Sequence, residues 1–120
     1  PGSGGSARLA KMIGISRTKN IIMRGKRLSG EEAFQLGIAC EVVEKSELEN
    51  MTKKIVKELL GVSPLAQRTI KSVLNATQNA TLHTSIDLEG EAYGRLRSSN
   101  DFKEGVKSFS EKRPPSYKGN

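Results

Sequence analysis

Apolar residues recur at helical spacing along most of this chain, and this pattern limits the possible folds more than any other feature. The clearest stripe is Leu48, Met51, Ile55 and Leu59, which share one face of a helix because a turn takes about 3.6 residues. Only residues 38–45, IACEVVEK, are typical of a β-strand. A lone strand needs a partner for its backbone hydrogen bonds, and we expect that partner in another chain or in further sequence. The sequence therefore predicts a mostly α chain with one short β-strand.

The first part of the chain contains three short segments that each end in glycine. Residues 7–14 and 16–25 carry apolar residues at helical spacing, and we expect Ser16 to cap the second helix. Ser29 and Glu32 match the capping box, in which each side chain accepts a hydrogen bond from the other residue's backbone N–H. The sequence therefore predicts three successive short helices.

Longer amphipathic helices are predicted in the second part. Their expected starts are Ser46 as an N-cap, Pro64 in a first helical turn, Leu82 at the head of a helix reaching Leu96, and Asn100 as an N-cap. The two prolines after Arg113 end helical structure and leave a basic tail.

The net charge of +7 permits an anionic partner but does not identify one. Lysines and arginines are scattered among acidic residues, without a run of five or an aromatic and basic strip that could stack bases. We therefore do not expect nucleic acid as the main ligand. Hydrophobic residues make up 35% of the chain, and a partner that covers further apolar surface is compatible with this composition.

Cys40 is the only cysteine, so an internal disulfide and a CxxC metal pair are excluded. This favours a reducing, cytoplasmic setting, and the surrounding GIACEVV segment predicts that Cys40 is buried in the strand. No apolar run approaches the ~18 residues of a membrane span. His83 is the only histidine, and we expect it on a helix surface without a metal.

The opening residues PGSGGSARLA pose a separate question. No Lys-Ser/Thr pair follows at P-loop spacing, which excludes that phosphate cradle. A flexible linker and a turn that aims backbone N–H groups at a reacting centre both fit the residues. No complete catalytic constellation is visible in the sequence.

Four segments in order resemble the C-terminal half of the crotonase (enoyl-CoA hydratase/isomerase) family. They are PGSGGSARLAKMIG, IIMRGKRLSGEEAFQLGIACEVVEKSEL, SPLAQRTIKSVLN and SNDFKEGVKSFSEKRPPSYKG. The resemblance runs through essentially the whole chain and favours the active-site turn over the linker. It implies the C-terminal part of the crotonase-like α/β spiral, with the end of the core in residues 1–45. Residues 46–120 would form a helical region for trimerisation and CoA capping.

The resemblance also implies an activity. Family members bind acyl-CoA thioesters and stabilise the enolate in an oxyanion hole of two backbone N–H groups. In hydratases two glutamates exchange protons with the water that adds across the 2,3 double bond. These groups normally precede the Pro-Gly-x-Gly-Gly turn, so we expect the 120 residues to be inactive alone and the natural protein to be about twice as long.

Four site residues follow from the matched positions. The backbone N–H of Gly2 would point toward the catalytic water or the thioester, and Tyr93, Phe109 and Lys112 would lie around the CoA and acyl chain. Lys112 would neutralise a CoA phosphate. Plain helix packing for the two aromatic residues and a solvated lysine are the alternatives. No metal and no cofactor are expected, since the coenzyme A thioester is the substrate, and the expected assembly is a homotrimer or a dimer of trimers.

The exact reaction stays open at the level of sequence. Ser6 and Ala7 stand where Thr-Gln is commoner in the family. Isomerases, dehydratases and naphthoate-synthase-like members share this half with the hydratases. A non-catalytic oligomerisation module and a basic RNA-binding helical domain are alternatives from other functional classes.

Overall fold

A computed structural model of the chain describes residues 2–120, and its regular elements in that range are helical. A single 3₁₀ turn, Lys45–Glu47, precedes the fourth helix. The α-helices are α1 Gly5–Ile13, α2 Ile15–Met23, α3 Gly30–Gln35, α4 Leu48–Leu60, α5 Pro64–Thr77, α6 Leu82–Arg97 and α7 Asn100–Ser110.

The chain divides into two compact units, one ending at Met51 and one beginning at Thr52. In the first unit α1 packs against α2. In the second unit α6 packs against both α5 and α7. These contacts join helices that are adjacent in sequence, as short connections favour.

Three of the predicted helix starts are confirmed, and one of them is Leu82, the first residue of α6. The hydroxyl oxygen of Ser29 accepts a hydrogen bond from the Glu32 N–H at 3.1 Å, and the Glu32 carboxylate accepts one from the Ser29 N–H at 2.8 Å. Pro64 lies in the first turn of α5, where its missing N–H leaves no donor unsatisfied. Ser63 caps that helix by accepting from the Ala66 N–H at 3.1 Å.

Other predicted caps are wrong by one or two residues. Ser16 lies inside α2, which begins directly after Gly14. Ser46 lies within the 3₁₀ turn, so α4 begins at Leu48. Ser99, and not Asn100, caps α7, because its hydroxyl reaches the third backbone N–H of the helix.

The predicted strand over residues 38–45 is not present among residues 2–120, and neither is any other strand. A strand is stabilised by hydrogen bonds to a neighbouring strand, and no extended segment in the described range supplies them. The side chain of Val42 instead lies against Gly30, where an added Cβ would be 3.1 Å away. Cys40 is exposed, which corrects the prediction that it is buried in a strand.

Few apolar side chains are buried within the described residues. Ile13 and Ala92 are the buried apolar residues, at 7% and 3% exposure. Phe109 and Leu60 are 87% and 80% exposed. Much of the apolar surface that the helical pattern predicts therefore faces solvent in this single chain. The helices described in residues 2–120 are too short or too polar to cross a bilayer.

The capping box provides a test of the local structure. We expect Ser29→Ala to lower the free energy of unfolding by about 1 kcal/mol, because it leaves the Glu32 backbone N–H in the first turn of α3 without its side-chain partner. Urea unfolding followed by circular dichroism measures the change.

Ser16→Ala is the matched control, since Ser16 is exposed inside α2 and does not cap it. We expect a change within about 0.5 kcal/mol for this variant. An equal loss in both variants would show that the Ser29 cap does not stabilise the fold.

Candidate functional site

An apolar cleft of about 600 Å³ lies in the second unit, between helices α5, α6 and α7 and the chain end. Aromatic and aliphatic side chains form most of its wall, and one carboxylate lies at its edge. Its lining includes Ser63, Tyr93, Asp101, Gly105, Phe109 and Tyr117. A cleft of this size and lining suits an apolar ligand or an apolar segment of a larger one.

Three of the four site residues predicted from the family resemblance belong to this unit. Tyr93 and Phe109 both line the cleft, at 55% and 87% exposure. The guanidinium carbon of Arg97 lies 5.8 Å from the centroid of the Tyr93 ring, within cation–π range. Lys112 is not part of the cleft wall. It lies two residues after α7 in a left-handed conformation, with φ 52°.

Gly2 belongs to the first unit and is exposed. Its carbonyl accepts a hydrogen bond from the Gly5 N–H at 3.0 Å, and Ser3 and Gly4 follow with φ of 53° and 78°. The Arg8 guanidinium donates to the Ser3 carbonyl at 2.8 Å and thereby holds the turn against α1. The catalytic role assigned to the Gly2 N–H stays a prediction.

The carboxylate of Asp101 is the centre of the polar contacts around the cleft. Asp101 is 4% exposed, and its oxygens accept hydrogen bonds from the Ser63 hydroxyl at 2.5 Å and the Lys118 N–H at 2.8 Å. The Gly119 N–H donates to both oxygens, at 3.0 and 3.1 Å. The Asp101 N–H in turn donates to the Asn120 carbonyl at 3.0 Å. One side chain therefore joins the start of α5, the first turn of α7 and the chain end.

Opposing effects set the pKa of Asp101. Burial raises the pKa, while hydrogen bonds from Ser63 and from the backbone of Lys118, Gly119 and Leu65 lower it, and the net pKa lies below the usual range. The carboxylate is therefore ionised near neutral pH and its oxygens are engaged by donors. Such a group is poorly suited to act as a general base.

A second carboxylate lies one helical turn further along α7. The Arg113 guanidinium binds both oxygens of Glu104, at 2.6 and 3.0 Å, and the Ser116 N–H donates to one of them at 2.7 Å. The hydrogen bonds from Arg113 and Ser116 lower the pKa of Glu104 to about 2. This pair fixes the chain just after the end of α7.

Sequence reasoning did not assign a role to Ser63, Asp101, Glu104 or Tyr117. Asp101 and Glu104 are three residues apart, which places them on one face of α7 ahead of the basic tail. That spacing could have indicated a shared role for the two carboxylates. The donors of Asp101 come from residues 38 positions before it and 17 or 18 positions after it, which no local pattern reveals.

His83 and the acidic residues do not form a metal site in the described part of the chain. The Nδ1 atom of His83 is 3.0 Å from a carboxylate oxygen of Asp87, one turn along α6, and both side chains are exposed. This agrees with the predicted surface position of His83. Residues 2–120 contain no cluster of three or more His, Cys, Asp or Glu side chains that could hold a metal ion.

Comparison with known proteins identifies the family. The sequence model of the enoyl-CoA hydratase/isomerase family matches residues 1–120, so the chain belongs to this family. The short-chain-enoyl-CoA hydratase of Clostridium acetobutylicum is 33% identical over 113 residues, which cover 94% of this chain and 43% of that protein. The trans-2-decenoyl-[acyl-carrier-protein] isomerase of Streptococcus mutans is 35% identical over 119 residues, covering 99% of this chain and 45% of that protein.

The solved structures agree with this result. A crystal structure of an enoyl-CoA hydratase from Bacillus anthracis superimposes with a TM-score of 0.96 at 36% identity. The match covers 100% of this chain and 46% of the other. The chain thus spans less than half the length of the relatives that it matches.

The low pKa of Glu104 predicts how acid affects the second unit. A carboxyl group whose folded pKa is about 2, against an ordinary value of 4.5, contributes stability that is complete above about pH 4.5 and is lost as the pH falls toward 2. We expect wild type to lose more unfolding free energy between pH 6 and pH 3 than Glu104→Gln does. Urea unfolding at the two pH values measures the difference.

Glu91→Gln removes a carboxylate from an exposed position on α6 and serves as the control. We expect it to follow the wild-type pH dependence. If Glu104→Gln also follows that dependence, the Arg113 pair does not stabilise the fold.

Proposed function

We propose that the protein containing this chain is an enoyl-CoA hydratase that adds water across the 2,3 double bond of an acyl-CoA thioester. The match of the whole chain to the enoyl-CoA hydratase/isomerase family carries this proposal. The similarity to a short-chain-enoyl-CoA hydratase supports the hydratase reaction and an acyl-CoA substrate. Neither a metal nor a further cofactor is needed for this reaction, because two backbone N–H groups of the family's oxyanion hole stabilise the enolate.

The residues of this chain would bind and position the substrate. The Gly2 N–H would face the thioester or the attacking water, near the N-terminal end of α1, where backbone donors and the helix dipole favour negative charge. Tyr93 and Phe109 would contact the apolar part of the substrate, since both line the cleft. Lys112 would pair with a CoA phosphate.

The proposed roles of the two parts of the chain follow from the family. Residues 1–45 would complete the crotonase core, and residues 46–120 would support trimerisation and cap CoA. The exposed apolar residues of α4 and α6, among them Leu60 and Leu82 at 80% and 77% exposure, support a homotrimer or a dimer of trimers. The single exposed cysteine supports a reducing, cytoplasmic setting.

We also propose that the 120 residues alone do not catalyse hydration. In the family the two glutamates that handle the water's protons come from the preceding half of the fold. Among the described residues that line the cleft, Asp101 carries the one carboxylate, and its oxygens are engaged by Ser63 and the chain end.

Isomerisation of the double bond is the second candidate reaction. The isomerase of Streptococcus mutans is as similar to this chain as the hydratase is, at 35% against 33% identity. The two reactions share enolate stabilisation. Hydration adds the hydroxyl of water at C3 and a proton at C2, whereas isomerisation removes a proton from C4, returns one to C2 and adds no water. Supplying a 2-enoyl-CoA and analysing whether the product is a 3-hydroxyacyl-CoA or a 3-enoyl-CoA separates them.

The proposed contact of Lys112 with CoA can be tested in the complete protein. We expect Lys112→Gln to raise the KM for crotonyl-CoA about fivefold, the size of an exposed ion pair of ~1 kcal/mol, and to leave kcat unchanged because the phosphate is remote from the reacting atoms. Loss of the enoyl-thioester absorbance measures both constants.

Lys103→Gln is the matched control, because Lys103 is an exposed lysine on α7. Its KM is expected to stay at the wild-type value. An equal rise in both variants would indicate a general effect of charge, and no rise in either would remove Lys112 from the CoA site. A complete protein without hydratase or isomerase activity would overturn the proposed function.

A further inference from the structure

The chain end after α7 is held in place by the two carboxylates of that helix. Glu104 binds the Arg113 guanidinium and the Ser116 N–H, and Asp101 binds the N–H groups of Lys118 and Gly119. The Gly119 carbonyl also accepts from the Arg68 guanidinium on α5 at 3.0 Å. Residues 113–120, the C-terminal strap, are therefore held by contacts near both of their ends.

Tyr117 lies between these two anchoring points and forms part of the cleft wall. A Cβ added to Gly105 would be only 3.3 Å from the Tyr117 hydroxyl oxygen. The tyrosine therefore crosses α7 closely at the position where the helix has no side chain. Its place depends on where the strap is held, because the strap contains no helix of its own.

We propose that Asp101 and Glu104 are positioning residues that set the cleft wall by holding Tyr117 against Gly105 through the C-terminal strap. This inference rests on the proposed function, in which the cleft takes the apolar part of an acyl-CoA. Glu104 is not part of the cleft wall, and the oxygens of Asp101 are engaged by the Ser63 hydroxyl and the chain end. The two carboxylates determine whether the tyrosine is ordered before the ligand binds, and a preorganised wall strengthens binding because less order is lost on association.

A double-mutant cycle in the complete protein that contains this chain tests this coupling. The variants are Glu104→Gln, Tyr117→Ala and their combination, and calorimetry measures Kd for decanoyl-CoA and for octanol as a probe without CoA. We expect each single change to weaken binding about fivefold, the loss of a few tens of Å² of apolar contact. In the Tyr117→Ala background, Glu104→Gln should weaken binding by less than twofold, because its effect acts through Tyr117.

Hydrogen exchange provides a readout on the strap itself. The Ser116 and Lys118 amides should exchange faster in Glu104→Gln than in wild type, whereas Glu91→Gln should change neither exchange nor binding. If Glu104→Gln does not fold by circular dichroism, Arg113→Lys replaces it in the cycle, since it keeps the charge but cannot bind both oxygens of Glu104.

The outcomes separate this inference from the proposed function. Additive losses, or faster strap exchange with unchanged Kd, would overturn the positioning role. Failure of wild type to bind either probe would overturn it as well. If decanoyl-CoA binds no more strongly than octanol, the result argues against the acyl-CoA function but not against the positioning role. The double-mutant cycle is then evaluated from the Kd values for octanol.

Discussion

The buried carboxylate of Asp101 is the contact on which the second unit depends. An ionised group removed from water is costly unless hydrogen bonds replace its hydration. Here a hydroxyl from the cap of α5 and two N–H groups from the chain end do so. Ser63 has a double role, because its hydroxyl donates to Asp101 and accepts from the Ala66 N–H that begins α5. The start of one helix, the start of another and the C-terminal strap are thereby tied to a single side chain.

Polar contacts are important for the stability of the second unit because the chain buries little apolar surface. Ile13 and Ala92 are the buried apolar residues of the described range, while Phe109 and Leu60 are largely exposed. Hydrophobic stabilisation scales with the area removed from water, so these small units gain modestly from it. The same exposed faces are what the proposed trimer would cover, and they agree with a chain that spans less than half the length of its relatives.

The candidate site combines predicted and unpredicted residues. The family resemblance placed Tyr93 and Phe109 around the substrate, and the structure brings both to one cleft. Lys112 falls outside the cleft wall, at a left-handed turn that leads into the C-terminal strap. Tyr117 completes the wall although no local pattern marked it, because its position is determined by contacts that the strap makes with α7.

The sequence by itself determined the family, the succession of helices and the capping box of α3. Helical periodicity and the contacts of Ser29 with Glu32 extend over only a few residues, so a local pattern can reveal them. Tertiary structure decided two features. Residues 38–45 did not form the predicted strand, because a strand requires a hydrogen-bonded neighbour that the described residues lack. Asp101 became the centre of the cleft's polar contacts, because its donors are far away in sequence and meet only when α5, α7 and the chain end are packed together.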